Sequence, residues 1–336
     1  MIGAELLVRN LEAQGVEYVF GIPGAKIDPV FNALVDSKIK TVVCRHEQNA
    51  AFIAGGLGRI TGKAGVVLVT SGPGCSNLVT GLATANTEGD PIVAMGGAVP
   101  VGERLKQTHQ SMDTVAMLRP VTKYAAEIDS PEAISEAVAA AFRAAESGRP
   151  GAAFLSLPKD VMKAEAKGTV LTPARSPNQG PADAAAIAEA ARLIEAAERP
   201  VVLLGMLASQ PEASNAIRAM LVQKKLAIAT TYQAAGIVPR EHMDYFAGRI
   251  GLFHNQPADR LLDAADLVLT IGFDPVEYDP ALWNTGKTRK LIHLDCVPAD
   301  PDRNYRPDLE LLGNISTTLW ALAPLLKNRA RPAQAE

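Results

Sequence analysis

One acidic side chain, that of Glu47, stands where a carboxylate could take part in chemistry. It follows a predicted strand at 40–44 and opens a predicted helix that carries no further charge before Arg59. Burying a carboxylate at such a junction costs free energy unless the carboxylate has a partner. Three roles remain open from the residues alone: a favourable charge at the helix N-terminus, an ion pair with Arg45, or contact with a nitrogen atom of a bound ligand.

Other patterns that usually indicate a site are incomplete. The segment 58–63, Gly-Arg-Ile-Thr-Gly-Lys, is one residue shorter than a phosphate-binding loop and follows a predicted helix rather than a strand. The turn at 72–74 begins a dinucleotide-binding fingerprint, but Asn77 stands where the third glycine belongs. The five histidines lack the spacing of metal ligands, so we predict no metal site among them.

Strand and helix patterns alternate along both halves of the chain. Short apolar runs that are typical of buried parallel strands occur at 65–70, 151–157, 201–204 and 267–271. This alternation predicts an α/β fold with two doubly wound parallel-sheet domains. We place the first domain at 1–167, a linker rich in proline and glycine at 168–183, a Rossmann-like central domain at 184–325 and a polar tail at 326–336.

The composition excludes several classes of protein. The 336 residues have a formal net charge of −3, so we expect neither nucleic acid nor an anionic membrane surface as a partner. No apolar run approaches the roughly 18 residues of a membrane span, and the N-terminus lacks the features of a signal peptide. Cys44, Cys75 and Cys296 are predicted to be free thiols, which favours a cytoplasmic location.

A series of motifs runs in order through the first domain. The motifs are Gly21-Ile22-Pro23-Gly24-Ala25-Lys26, Arg45-His46-Glu47-Gln48-Asn49-Ala50-Ala51, Val69-Thr70-Ser71-Gly72-Pro73-Gly74, Asn86-Thr87-Glu88-Gly89-Asp90-Pro91, His109-Gln110-Ser111-Met112-Asp113, Arg149-Pro150-Gly151 and Leu157-Pro158-Lys159-Asp160-Val161. Together they resemble the pyrimidine-binding domain of thiamine-diphosphate enzymes, specifically the acetolactate synthase family. Residues 184–325 resemble the central domain of the same family.

The resemblance implies a role for Glu47. In this family a glutamate forms a hydrogen bond with the N1′ atom of the cofactor's pyrimidine ring, and Glu47 stands at the matching position. An apolar site would let its carboxyl group share a proton with that ring. The implied reaction is the decarboxylation of pyruvate and its condensation with a second pyruvate to 2-acetolactate, for which thiamine diphosphate supplies the reactive carbon.

Further site residues follow from the same motifs. The positions that match the family's cofactor-binding loops are Pro23, Gly24, Thr70, Gly72, Gly74 and Asn77. Glycine in such loops allows the backbone to approach a ligand closely. Gln110 matches a glutamine near the reacting carbon, and His109 lies beside it. Lys26, next to the Gly-Ile-Pro-Gly loop, is a candidate partner for the carboxylate of pyruvate.

The resemblance also bears on cofactors and partners. Segments 24–26, 109–113 and 248–253 look like the catabolic branch of the family, which lacks the FAD that the biosynthetic branch carries in its central domain. The family's third domain, which binds the diphosphate through Mg²⁺ and starts with Gly-Asp-Gly, has no counterpart in this sequence. We therefore expect little turnover of pyruvate by the chain alone. The resemblance implies that a homodimer or tetramer, or a separate diphosphate-binding chain, completes the site.

Three other interpretations stay open. One is another thiamine-diphosphate enzyme that acts on pyruvate, either an oxidase or a decarboxylase, since these share the role of Glu47. A second is a non-catalytic cofactor-binding subunit of a split enzyme. The third is a generic nucleotide-binding α/β protein, for which the incomplete fingerprint at 72–77 is weak support.

Overall fold

The structure is a computed structural model that describes residues 1–173, 179–252, 256–286, 289–300 and 302–328. The chain forms two compact units, Met1–Pro177 and Asn178–Glu336. Part of the predicted linker (174–178), most of the predicted tail (329–336) and Phe253 of the catabolic-type segment lie outside the described residues. No helix in the described ranges combines the length and the apolar character needed to cross a membrane.

The first unit is a parallel sheet with helices on both faces. Its strands are β1 (Tyr18–Gly21), β2 (Lys40–Val43), β3 (Gly65–Val69), β4 (Ile92–Ala98), β5 (Tyr124–Glu127) and β6 (Ala152–Pro158). Its helices are α1 (Gly3–Ala13), α2 (Asp28–Val35), α3 (Glu47–Thr61), α4 (Pro73–Ser76), α5 (Val79–Glu88), α6 (Thr114–Leu118), α7 (Ile134–Glu146) and α8 (Lys159–Lys163), with 3₁₀ turns at Val101–Glu103, Arg119–Val121 and Pro131–Ala133.

The strand order of the first sheet is β2-β1-β3-β4-β6-β5, and every neighbouring pair is parallel. The buried side chains form one apolar cluster on each face of the sheet, around Leu6 and Leu68 on one side and around Val67 and Leu82 on the other. The register pairs Gly21 at the end of β1 with β2 on one side and with β3 on the other. The carboxyl ends of these three strands therefore lie side by side.

The helix that carries Glu47 has clear signals at both ends. The Nδ1 atom of His46, the residue before α3, accepts a hydrogen bond from the backbone N–H of Gln48 over 3.1 Å. The helix ends at Gly62, whose left-handed φ of 70° is a common helix stop. The small residues of α3 face the sheet, and its outer face exposes Phe52 and Ile53.

The second unit repeats the α/β pattern. Its strands are β7 (Pro200–Leu204), β8 (Ala227–Thr230), β9 (Phe246–Arg249), β10 (Leu267–Ile271), β11 (Lys290–Asp295) and β12 (Leu309–Leu312). Its helices are α9 (Ala184–Ala196), α10 (Pro211–Lys224), α11 (Pro257–Ala264), α12 (Pro280–Trp283) and α13 (Ile315–Leu322), with 3₁₀ turns at Met206–Ser209, Arg240–Tyr245 and Ala323–Leu325. The strand order is β12-β11-β10-β7-β8-β9, again with parallel neighbours.

The predicted fold class, two doubly wound parallel sheets, is confirmed. Three strands were not predicted from the sequence: β5, β9 and β12. All three lie at the edges of their sheets and are only partly buried. Strands β5 and β9 therefore lack a continuous apolar run. The short helix α4 and the longer α5 are separated by Asn77 and Leu78, which both keep right-handed helical backbone angles.

Candidate active site

The candidate site lies at the carboxyl end of the first sheet, between β1 and β3. The chain runs from β1 outward to β2 and then crosses to β3 on the other side of β1. At such a switch point the neighbouring loops diverge and leave a crevice in which doubly wound sheets bind their ligands. The loop after β1 carries Pro23 and Gly24, the turn 70–74 follows β3, and Glu47 begins the helix after β2.

The Glu47 side chain is buried, with 9% of its surface exposed. The Nδ2 atom of Asn77, at the end of α4, donates a hydrogen bond of 2.9 Å to its Oε2 atom. Within the described part of the chain no second donor reaches this carboxylate, and the exposed Arg45 forms no ion pair with it. Glu47 is also the first residue of α3, where a negative charge is favourable. Its Oε1 atom is left for a further partner.

Two glycines bring the loops around this carboxylate together. A Cβ atom at Gly74 would lie 2.9 Å from Cγ2 of Thr70 and 3.5 Å from Oε1 of Glu47. A Cβ atom at Gly24 would lie 2.7 Å from both Cβ and Oγ1 of Thr70. The Thr70 hydroxyl is buried and has no hydrogen-bond partner among the described residues. The unpartnered Thr70 hydroxyl and the Oε1 atom of Glu47 are therefore the polar groups that this place offers to a ligand.

Gln110 is held against the same turn in a strained conformation. Its φ is 64°, a left-handed value that residues other than glycine adopt at an energetic cost. The Ser71 hydroxyl donates a hydrogen bond of 3.2 Å to its Oε1 atom, and a Cβ atom at Gly72 would lie 2.9 Å from its backbone oxygen. This bond orients the amide. Ser71 was not predicted as a site residue, although its place inside the turn at 70–74 could have indicated it.

The remaining predicted residues lie at the rim. Pro23 and His109 are exposed, and Lys26 is half-buried. The loop that carries Lys26 is fixed by Lys159, whose Nζ atom donates to the backbone oxygen of Ala25 over 2.6 Å. No hydrogen bond or ion pair of the described chain joins Lys26 or His109 to Glu47. The structure thus brings Glu47, Thr70, Gly74 and Asn77 together and leaves the side chains of Lys26 and His109 outside that group.

Cys75, on α4 directly after the turn at 70–74, is not a reactive thiol. Burial, reinforced by the negative charge of Glu47, raises the pKa of Cys75 to about 12. Its Sγ atom contacts the backbone oxygen of Thr70 at 3.2 Å. All three cysteines of the chain are free, as predicted. Within the described ranges no three His, Cys, Asp or Glu side chains come together as metal ligands do.

Comparison with known families gives two matches along the chain. Residues 1–117 match the family described as "Thiamine pyrophosphate enzyme, N-terminal TPP binding domain". Residues 187–322 match the "Thiamine pyrophosphate enzyme, central domain". The first match contains the candidate site, and the second falls within the second compact unit.

Curated relatives extend the similarity over nearly the whole chain. A protein named "Acetolactate synthase, catabolic" from Raoultella terrigena is 55% identical over 327 residues, which are 97% of this chain and 58% of that protein. An "Acetolactate synthase" from Bacillus subtilis is 54% identical over 94% of this chain and 56% of its own length. A "Probable acetolactate synthase large subunit" from Methanocaldococcus jannaschii is 35% identical over 97% of this chain and 56% of its own length. The chain therefore spans a little over half the length of these relatives.

Proposed function

We propose, on the premise that this chain belongs to the thiamine pyrophosphate enzymes, that it supplies the pyrimidine-binding side of an acetolactate synthase site. The observation that carries the proposal is the buried carboxylate of Glu47, held by Asn77 at the switch point of the first sheet. The proposed reaction joins two pyruvate molecules with loss of carbon dioxide to give 2-acetolactate. The relatives that carry this name support the choice of reaction.

Glu47 is proposed to hold a proton at the N1′ atom of the pyrimidine ring. Because Asn77 occupies Oε2, the Oε1 atom is the one available for that nitrogen. Burial strengthens a hydrogen bond of this kind, since water does not compete for it. Thiamine diphosphate, when bound, supplies the carbon nucleophile that attacks pyruvate.

The loops on either side are proposed to orient the ring. The backbone at Pro23 and Gly24 would lie along one face, and the turn from Thr70 to Gly74 would lie along the other. The Thr70 hydroxyl, buried without a described partner, is available to a polar atom of the ring. A hydrogen bond to a ligand there would remove the cost of leaving that hydroxyl unpaired.

The pyruvate side of the site is assigned to three side chains. Gln110, oriented by Ser71, is proposed to donate its amide N–H to the carbonyl or carboxylate oxygen of the substrate. Lys26 and His109, both at the rim, are proposed to attract the carboxylate of pyruvate by charge or hydrogen bonding.

The metal ion and the partner chains are proposed from the resemblance to the family. Mg²⁺ is proposed as the partner of the cofactor's diphosphate, with ligands from outside the described parts of the two units. A homodimer, a tetramer or a separate diphosphate-binding chain is proposed to complete the site, in a cytoplasmic enzyme. The catabolic name of one relative favours a catabolic role in acetolactate formation. The absence of FAD is proposed from the resemblance of segments 24–26, 109–113 and 248–253 to the catabolic branch.

Calorimetry with the purified chain tests the cofactor assignment without depending on turnover. We expect thiamine diphosphate to bind in preference to NAD and ATP. Glu47→Gln should weaken its binding about tenfold, because one hydrogen bond of a charged group is worth roughly 1.5 kcal/mol. The matched control is Glu136→Gln, which changes an exposed carboxylate on α7 and should leave binding unchanged. Equal binding by Glu47→Gln and the native chain would contradict the proposal.

Product analysis tests the reaction. In a preparation that turns over pyruvate with thiamine diphosphate and Mg²⁺, we expect 2-acetolactate. Acetyl phosphate would instead indicate an oxidase and acetaldehyde a decarboxylase. In the same preparation Glu47→Gln should lower kcat by a factor of about 10² or more, the usual range for the loss of a positioned acid–base group.

A further inference from the structure

The second unit has a switch point of its own, between β7 and β10. The chain passes from β7 to β8 on one side and returns after β9 to β10 on the other. The general rule for doubly wound sheets predicts a nucleotide-binding crevice at the carboxyl ends of these two strands. The backbones approach closely there, since a Cβ atom at Gly205 would lie 2.3 Å from Cα of Phe273 and 2.6 Å from Oε1 of Glu277.

The carboxylate of Glu277 fills this crevice. Its Oε1 atom accepts hydrogen bonds of 3.0 Å from the backbone N–H groups of Met206 and Asp274. Its Oε2 atom accepts a bond of 2.6 Å from the hydroxyl of Thr231. The donors follow β7, β10 and β8, so three separate loops converge on one side chain. Only 9% of the Glu277 surface is exposed.

This set of donors is the kind that holds a phosphate group. Backbone N–H groups that converge at the ends of strands, together with a hydroxyl, form the usual cradle for the phosphates of nucleotides. A carboxylate satisfies the same donors with its own oxygens. A phosphate brought to this place would lose those donors and would meet a buried negative charge at short range.

We infer that Glu277 acts as an internal anion that occupies the phosphate position of the second unit's crevice and closes this unit to FAD and other dinucleotides. Some members of the acetolactate synthase family carry FAD in the domain that corresponds to the second unit. The residues of this chain do not fit the diphosphate of FAD. The inference concerns the second unit alone. It therefore stands or falls independently of the pyruvate reaction proposed for the first unit.

Anion binding to the purified chain and to Glu277→Ala tests the inference. The probes are inorganic pyrophosphate, ADP and FAD, titrated by calorimetry at constant ionic strength. We expect the alanine variant to bind pyrophosphate and ADP at least tenfold more tightly than the native chain, and the native chain not to retain FAD. Saturating pyrophosphate should raise the melting temperature of the second unit by several degrees in the Glu277→Ala chain. In the native chain the same addition should raise it by less than about 1 °C.

Glu310→Ala is the matched control. It also removes a half-buried carboxylate that accepts a backbone hydrogen bond, from Ala299 over 3.0 Å, but it lies outside the crevice. This variant should gain no affinity for pyrophosphate. Tight binding of FAD or ADP to the native second unit would overturn the inference, as would a folded Glu277→Ala chain that binds pyrophosphate no better than the native one.

A second measurement decides the outcome if Glu277→Ala does not fold. Refolding is then followed with pyrophosphate and with sodium chloride at equal ionic strength. Recovery of the native tryptophan fluorescence with pyrophosphate alone would support the inference, because the added anion then replaces the missing carboxylate. Equal failure in both solutions would overturn it.

Discussion

Replacement of Asn77 by alanine should destabilise the first unit through the loss of one hydrogen bond. The Asn77 amide donates to Glu47 over 2.9 Å, and the carboxylate is 9% exposed. A hydrogen bond to a charged group contributes about 1.5–3 kcal/mol, and its removal leaves the buried oxygen without a partner. Asn77 itself is half-buried, so little packing is lost. We therefore expect the free energy of unfolding to fall by about 2 kcal/mol.

The distribution of tryptophan makes the assay specific for one unit. Both tryptophans, Trp283 and Trp320, belong to the second unit. In urea titrations tryptophan fluorescence therefore follows the second unit, whereas far-ultraviolet circular dichroism follows both. Asn77→Ala should move the dichroism transition of the first unit by about 1 M urea, for a dependence of roughly 2 kcal/mol per M. The fluorescence transition should keep its midpoint.

Two further variants make the result interpretable. Asn49→Ala changes an exposed asparagine on α3 and should leave stability unchanged or slightly higher, since alanine favours the helix. Combining Asn77→Ala with Glu47→Gln should give a coupling energy of about 1 kcal/mol, because each change removes the same interaction. A free energy of unfolding of Asn77→Ala within about 0.5 kcal/mol of the native value would lie inside the usual scatter of such measurements. That result would show that Asn77 does not hold the carboxylate.

Three other predictions concern the same unit. Gly74→Ala places a methyl group 2.9 Å from the nearest side-chain carbon and should weaken thiamine diphosphate binding at least tenfold in calorimetry, whereas Gly56→Ala, which meets nothing within 4 Å, should not. Because the pKa of Cys75 is about 12, this thiol stays protonated at lower pH; at pH 8 a disulfide reagent should label two of the three cysteines in the native chain and all three in urea. The chain should self-associate through the exposed Phe52 and Ile53, and Phe52→Asp should lower the sedimentation coefficient; an unchanged value would exclude that face.

The central strands could be predicted from the sequence because each reads as a continuous apolar run. The run at 65–70 became β3, Gly65–Val69, buried along its whole length. The edge strand β5 could not be predicted, since its four residues are all half-buried and carry no alternation. Partial burial at an edge depends on which strand pairs there, and that depends on the folded sheet.

The candidate site was predictable in its residues but not in its contacts. Glu47 could be singled out because it opens a predicted helix that carries no further charge before Arg59. From the sequence, Arg45, two residues away, was a possible partner of Glu47. The partner in the structure is Asn77, thirty residues later, because the segment that follows β3 lies beside the start of α3. The left-handed backbone of Gln110 and the carboxylate of Glu277 depend on loops distant in sequence, so the sequence alone did not indicate them.

The strand that leads to Glu47, β2, is one of the two edge strands of its sheet, and all four of its residues are exposed. Such a strand is held by hydrogen bonds on one side only, so it opens more readily than the interior strands. The carboxylate of Glu47 thus follows the more exposed of the two edge strands of this sheet. A partner chain that bound to the edge of β2 would also reduce the motion of the backbone that leads to Glu47. Assembly would then be coupled to the accuracy with which the carboxylate is positioned.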